Sequence, residues 1–191
     1  MGPGRPDLGP LRPPTPEDLR VLAWQLGRTP RGVLAVRPCP YGFPKVVLNH
    51  PLLPAEGADP KPMPTIFWLS CPFLVAEVSQ LESAGAVQRY ERRIAEDAAL
   101  AQAYARAHAA YRAERLALLS PAELAWVREK GYTGLLTTGI AGIANFRRVK
   151  CLHAHLAHFL AGRENPVGEG VAAELPRLFC PPERVLCAQR P

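Results

Sequence analysis

Residues 139–168 read GIAGIANFRRVKCLHAHLAHFLAGRENPVG, and this stretch constrains the fold more than any other. It opens on a glycine-containing loop, passes the cations Arg147, Arg148 and Lys150, and enters a helix pattern at about Val149 that runs to Gly162. Cys151, His153, His155 and His158 fall within this one turn-and-helix unit. On an ideal helix each residue turns by about 100°, which sets His155 roughly 40° and His158 roughly 20° from Cys151 and sends His153 to the other side. Thiol and imidazole are the preferred protein ligands of zinc, and both also serve as nucleophile or proton carrier. The cations stand at a helix N-terminus, where positive charge is disfavoured. Arg147, Arg148 and Lys150, with loop amides, are therefore expected to bind an anion such as phosphate or carboxylate. The same field favours thiolate at Cys151.

The rest of the chain reads as an α+β protein. A Pro-rich flexible arm is expected over residues 1–16, a single domain over 17–175, and a Pro- and Cys-containing tail over 176–191. Thr15, Pro16, Glu17 and Asp18 make a helix start, and Gly27 the stop. Short strands follow at 32–37 and 45–49 around a proline-braced turn carrying Cys39, and at 65–70, ending at Cys71. Helices are expected at 73–83, at 86–119 with one break, and at 121–130. Residues 131–145 read as a loop that folds over the site, 164–168 as a turn, and 171–175 as a short helix or turn. The result is a small antiparallel or mixed sheet of about three strands against a mostly helical layer.

In the long helical segment Tyr104, His108, Tyr111 and Arg115 keep the three-and-four spacing of a buried face. They read either as a hydrogen-bonded core or as the wall of a pocket. Cys39 and Cys71 both sit at element ends, where a ligand is rigidly presented. No phosphate-binding GxxxxGK[ST] order and no strand–GxGxxG–helix unit occurs.

Composition narrows the classes. The formal charge of +6 suits an anionic ligand, but neither a continuous basic surface nor an aromatic platform points to nucleic acid. No window approaches the roughly 18 apolar residues of a membrane span, and the N-terminus shows no signal-peptide pattern. A cytoplasmic protein is expected, in which cysteines are reduced, metal-bound or catalytic. Five cysteines argue against a complete disulfide framework.

Several segments resemble an uncharacterised bacterial family, domain of unknown function number 501. They are GRTPRG (27–32), the Cys39 loop, PTIFWLSCP (64–72), SQLESAG (79–85), AYARAHAAYRAER (103–115), RVKCLHAHLAH (148–158) and NPVG (165–168). The resemblance implies that these segments belong to one site and stresses Cys151, His153 and His158 over His155. A helix beginning one residue after Cys151 would free that side chain to turn and reconcile this emphasis with helix geometry. Gene neighbourhood in the family implies a link to the division apparatus or to polyphosphate, without assigning an activity.

Three readings follow. In the first, Cys39, Cys71 and Cys151 converge and one of His153, His155 or His158 completes a site for zinc or an iron–sulfur cluster. The second is a metal-free cysteine enzyme acting on an anionic substrate. The third is an adaptor without chemistry, docking a division partner or a polyanion.

Overall fold

The structure, a computed structural model, describes residues 10–190; the greater part of the expected arm lies outside them. Residues 10–16 dock: Arg12 makes a two-way backbone bridge with Val36, and its guanidinium holds Asp18 at 2.6 Å. Asp18 also completes a capping box with Thr15 at the start of α1 (Pro16–Leu26), and Gly27 ends that helix at φ 64°. Arg12 and the Thr15 donors together hold the Asp18 carboxyl below the usual carboxylate range, outweighing burial.

β1 (Val33–Pro38) and β2 (Pro44–Asn49) form an antiparallel hairpin, and β5 (Phe67–Leu69) pairs antiparallel with the other edge of β2. Between them, outside the strands expected from the sequence, β3 (Leu52–Leu53) and β4 (Lys61–Pro62) make a separate two-stranded sheet. β2 is buried at every position, as a central strand should be. One face of the sheet gives Val36 and Val47 to Leu22 of α1; the other gives Val46, Leu48, Phe67 and Leu69 to the main core.

That core is built by helices. α2 (Pro72–Ser83) is followed by α3 (Ala86–Glu96) and α4 (Ala98–Ala117), which are separated at Asp97. Asp97 adopts an extended backbone and its side chain accepts from the Leu100 amide at 3.0 Å, so one residue ends α3 and caps α4. α5 (Pro121–Glu129) opens with a Ser120–Glu123 capping box. The segment expected to be an open loop carries α6 (Thr133–Thr137), then packs Gly139 and Ile140 against His108.

α7 (Leu152–Leu160) runs through the centre, against β5, α2 and α8 (Pro166–Glu174). Every residue from Ala154 to Leu160 is buried, the pattern of a helix with no solvent face. The NPVG sequence is a helix start rather than a turn. Asn165 caps α8 through Gly168 N, and Pro166 takes a position whose amide needs no partner. Gly168 lets the two helices touch, because a Cβ there would lie 2.2 Å from the His155 carbonyl oxygen.

Gly168→Ala should therefore push α8 off α7 and destabilise the protein by about 1–3 kcal/mol, the usual cost of overpacking. Urea denaturation of the variant beside Gly134→Ala, where nothing lies within 4 Å of the added carbon, checks this.

Candidate metal centre

Cys151 precedes α7 instead of lying on it. With φ −148° and ψ 111° its backbone is extended, and the side chain turns back toward the first turn of the helix. The ideal-helix angles therefore do not apply to it, and Cys151 meets His153 rather than His155 or His158. The thiol sulfur is 3.9 Å from His153 Nδ1, and Glu82 Oε1, from the last turn of α2, is 3.2 Å from the same nitrogen. Ligand atoms of Glu82, Cys151 and His153 all lie within 4.8 Å of one another, and all three residues are half-buried. Glu82 also accepts from the Leu152 amide at 2.6 Å, so its negative charge stabilises the N-terminus of α7.

The other ring nitrogen fixes the chemistry. His153 Nε2 is 3.1 Å from the Val75 carbonyl and 3.3 Å from the Ser79 hydroxyl, whose own proton goes to that carbonyl, so both partners accept and Nε2 carries a proton. Nδ1 is left facing thiol and carboxylate together. In the metal-free protein a second proton sits there: the Cys151 contact and the Glu82 charge, working against burial, raise the imidazole to about 9. A cysteine–histidine–acid relay needs the acid on the nitrogen opposite the thiol. Here both crowd one nitrogen, which suits a shared cation. An N–H held by a backbone carbonyl is also the usual support of a metal-ligating histidine.

His155 and His158 do not belong to this group. The Asn165 amide nitrogen lies 3.2 Å from Nδ1 of each, while its oxygen caps α8. His155 Nε2 meets the Tyr104 hydroxyl at 3.1 Å, and that hydroxyl donates to the Arg148 carbonyl. His108 Nδ1 accepts from Ile140 N at 3.0 Å, and its ring stacks on Phe146. Tyr111 accepts from Ile66 N, and Arg115 donates to the carbonyls of Pro64 and Thr138. Tyr104, His108, Tyr111 and Arg115 are all fully buried and tied into the core by these bonds, although His108 Nε2 and Arg115 Nε find no partner there. An apolar groove of about 620 Å³, lined by Leu34, Leu52, Pro54 and Trp126 among others, includes none of the residues singled out from the sequence.

The expected convergence of Cys39, Cys71 and Cys151 does not occur. Cys71 is at the first end of α2 and the Cys151 group at the last, about 16 Å away at 1.5 Å per residue. The fold itself supplies negative charge at the start of α7: Glu82 serves the helix terminus, while Glu91 pairs with Arg148 at 2.8 Å and accepts from Val149 N. Arg147 and Lys150 are exposed. Glu82 is the member that residue-type scanning missed; its place in the SQLESAG segment was the available signal.

Among known proteins, the model of a family described as protein of unknown function, DUF501, matches residues 35–173, and the chain belongs to that family. No curated protein and no solved structure matches it. Glu82, Cys151 and His153 all lie within the matched residues.

The buried histidines make stability depend on pH. Burial lowers His108 to about 4 and His158 to about 3, and burial with the two neighbouring histidines also holds His155 well below the ordinary imidazole value. Unfolded histidines titrate near 6.5, so the unfolded chain takes up protons first and stability falls as pH drops from there toward the folded values. Each ring contributes a loss of up to about 1.4 kcal/mol per pH unit. Metal-free His153 acts oppositely, stabilising below 6.5 and losing that contribution as pH rises through about 9. Urea denaturation between pH 7 and pH 5 should show the acid-side fall, and a flat profile would mean that the rings are not buried neutral.

Proposed function

We propose that this protein binds a divalent transition metal, zinc foremost, through Glu82 Oε, Cys151 Sγ and His153 Nδ1, leaving one coordination position open. The observation that carries this reading is the commitment of His153 Nε2 to the Val75 carbonyl. It leaves Nδ1 as the one ring atom available to a cation that the thiol and the carboxylate already face. A mixed nitrogen, sulfur and oxygen set of three ligands is the pattern of zinc sites that exchange a water or substrate at the fourth position. Bound there, zinc would polarise an oxygen or lower the pKa of a bound water. The half-exposed ligands keep that position within reach of solvent. The exposed cations Arg147 and Lys150, close by in sequence, favour a small anion such as phosphate or a carboxylate as the fourth ligand.

Metal must displace the Nδ1 proton and the thiol proton, so affinity should rise with pH. Metal-free protein is titrated with Co²⁺ as a spectroscopic substitute, then with Zn²⁺ against a chromophoric chelator. One equivalent is expected to depend on Cys151, Glu82 and His153. Cys151→Ser should abolish that equivalent's thiolate-to-cobalt band, and Glu82→Gln should weaken binding at least tenfold, each in a protein that still melts cooperatively. A Co²⁺ spectrum unchanged by Cys151→Ser, or a folded protein that takes up no metal there, would refute the proposal.

A further inference from the structure

The remaining four cysteines gather at the opposite end of α2. Cys39 lies on the β1–β2 turn, Cys71 caps α2, and Cys180 and Cys187 belong to the C-terminal tail. Several contacts seat the tail on the turn. The Tyr41 hydroxyl donates to the Cys180 carbonyl at 3.1 Å, and the Tyr41 ring meets Phe179 edge-on. Gln25 Nε2 donates both to the Pro44 carbonyl at 2.8 Å and to Cys187 Sγ at 3.2 Å. The next carbonyl, that of Lys45, accepts from the amides of Ser70 and Cys71. Cys71, Cys180 and Cys187 are buried and Cys39 is half-buried, all as free thiols. These contacts bring together the segments that carry all four cysteines: the β1–β2 turn, the first end of α2 and the tail.

Lys45, on β2, lies beside two of these cysteines, Cys39 and Cys71. Its side chain is 2% exposed, and among the described residues no carboxylate pairs with it. Besides these two thiols, a second buried cation, Arg37, lies nearby. Burial of an ammonium without a counter-charge is expensive. Neutral thiols supply none. Four thiolates on a metal centre would supply the missing negative charge.

We infer that Cys39, Cys71, Cys180 and Cys187 form a second centre, an all-cysteine site for an iron–sulfur cluster, with Lys45 as its buried counter-cation. Geometry separates this from a single zinc ion. Bonds of about 2.3 Å in a tetrahedron place sulfurs roughly 3.8 Å apart. These four do not close into a group within 4.8 Å as Glu82, Cys151 and His153 do. A cluster shares its cysteines among several irons and so accepts a wider spread, and hydrogen bonds to sulfur tune it. Cys71 stands at the N-cap position of α2, where the helix terminus favours negative charge. The inference is independent of the Glu82 site, which shares none of these ligands.

The test is anaerobic reconstitution of the full chain with ferrous iron, sulfide and a thiol reductant, followed by absorption spectroscopy and iron and acid-labile sulfide analysis. Iron and sulfide in equal amounts with a broad visible band are expected. Cys71→Ser and Cys187→Ser should lose most of that band, while Cys151→Ser keeps it. Lys45→Met should keep the band but shift the reduction potential to more negative values, a readout that mere misfolding would not give. Three results would each overturn the inference: no cluster on folded protein, a single zinc ion held by these four cysteines, or a Cys180–Cys187 disulfide in protein kept anaerobic. A band lost with Cys151→Ser but not with Cys71→Ser would do the same.

Discussion

The structure turns on Asn165. Its oxygen caps α8, and its amide nitrogen reaches two histidines one turn apart on α7, so one side chain fixes two helices against each other. From His155 the network passes to Tyr104 and the Arg148 carbonyl, which tethers α4 to the segment leading into α7. Polar groups so deeply buried are costly unless satisfied, and satisfied they accept few alternative arrangements. α7 is thereby held at a defined depth and rotation between sheet and helices. That placement aims His153, near its exposed end, at Glu82.

α2 links the two ends of the protein. Its N-terminus presents Cys71 beside the β1–β2 turn and the tail, and its last turn presents Glu82 to Cys151 and His153. The two groups differ in kind. One is a half-exposed mixed set crowding a single point, suited to one ion with an open position. The other is mostly buried, all sulfur, more widely spread and provided with an internal cation. A helix of about 16 Å between them fixes their separation while keeping the ligand sets distinct.

Much of the architecture is legible in the sequence because local chemistry dictates it. Thr15 with Asp18, Ser120 with Glu123, and the glycine stop at Gly27 mark helix ends wherever they occur. The α+β order, the three main strands and a break somewhere in the helical stretch 86–119 follow from such signals. The site was harder to read. An ideal-helix projection misplaced Cys151, because a residue at the cap has extended backbone and obeys no helical angle. The family resemblance stressed Cys151 and His153, which meet at the start of α7, but also His158, which Asn165 holds in the core. Grouping all cysteines and histidines by type could not reveal that His155 and His158 are occupied by Asn165, nor that Cys180 and Cys187 return to Cys39 and Cys71. Both depend on contacts between distant segments, which spacing does not record. NPVG looked like a turn because Asn, Pro and Gly favour turns; here each serves the junction of α8 with α7.

The central claim is that one metal ion sits between a thiolate, an imidazole and a carboxylate at the start of α7. Zinc-edge X-ray absorption on protein loaded with one equivalent reads the ligand shell directly. The account predicts one sulfur near 2.3 Å with the remaining ligands nitrogen or oxygen near 2.0–2.2 Å. A shell made wholly of sulfur, or one containing no sulfur, would contradict it.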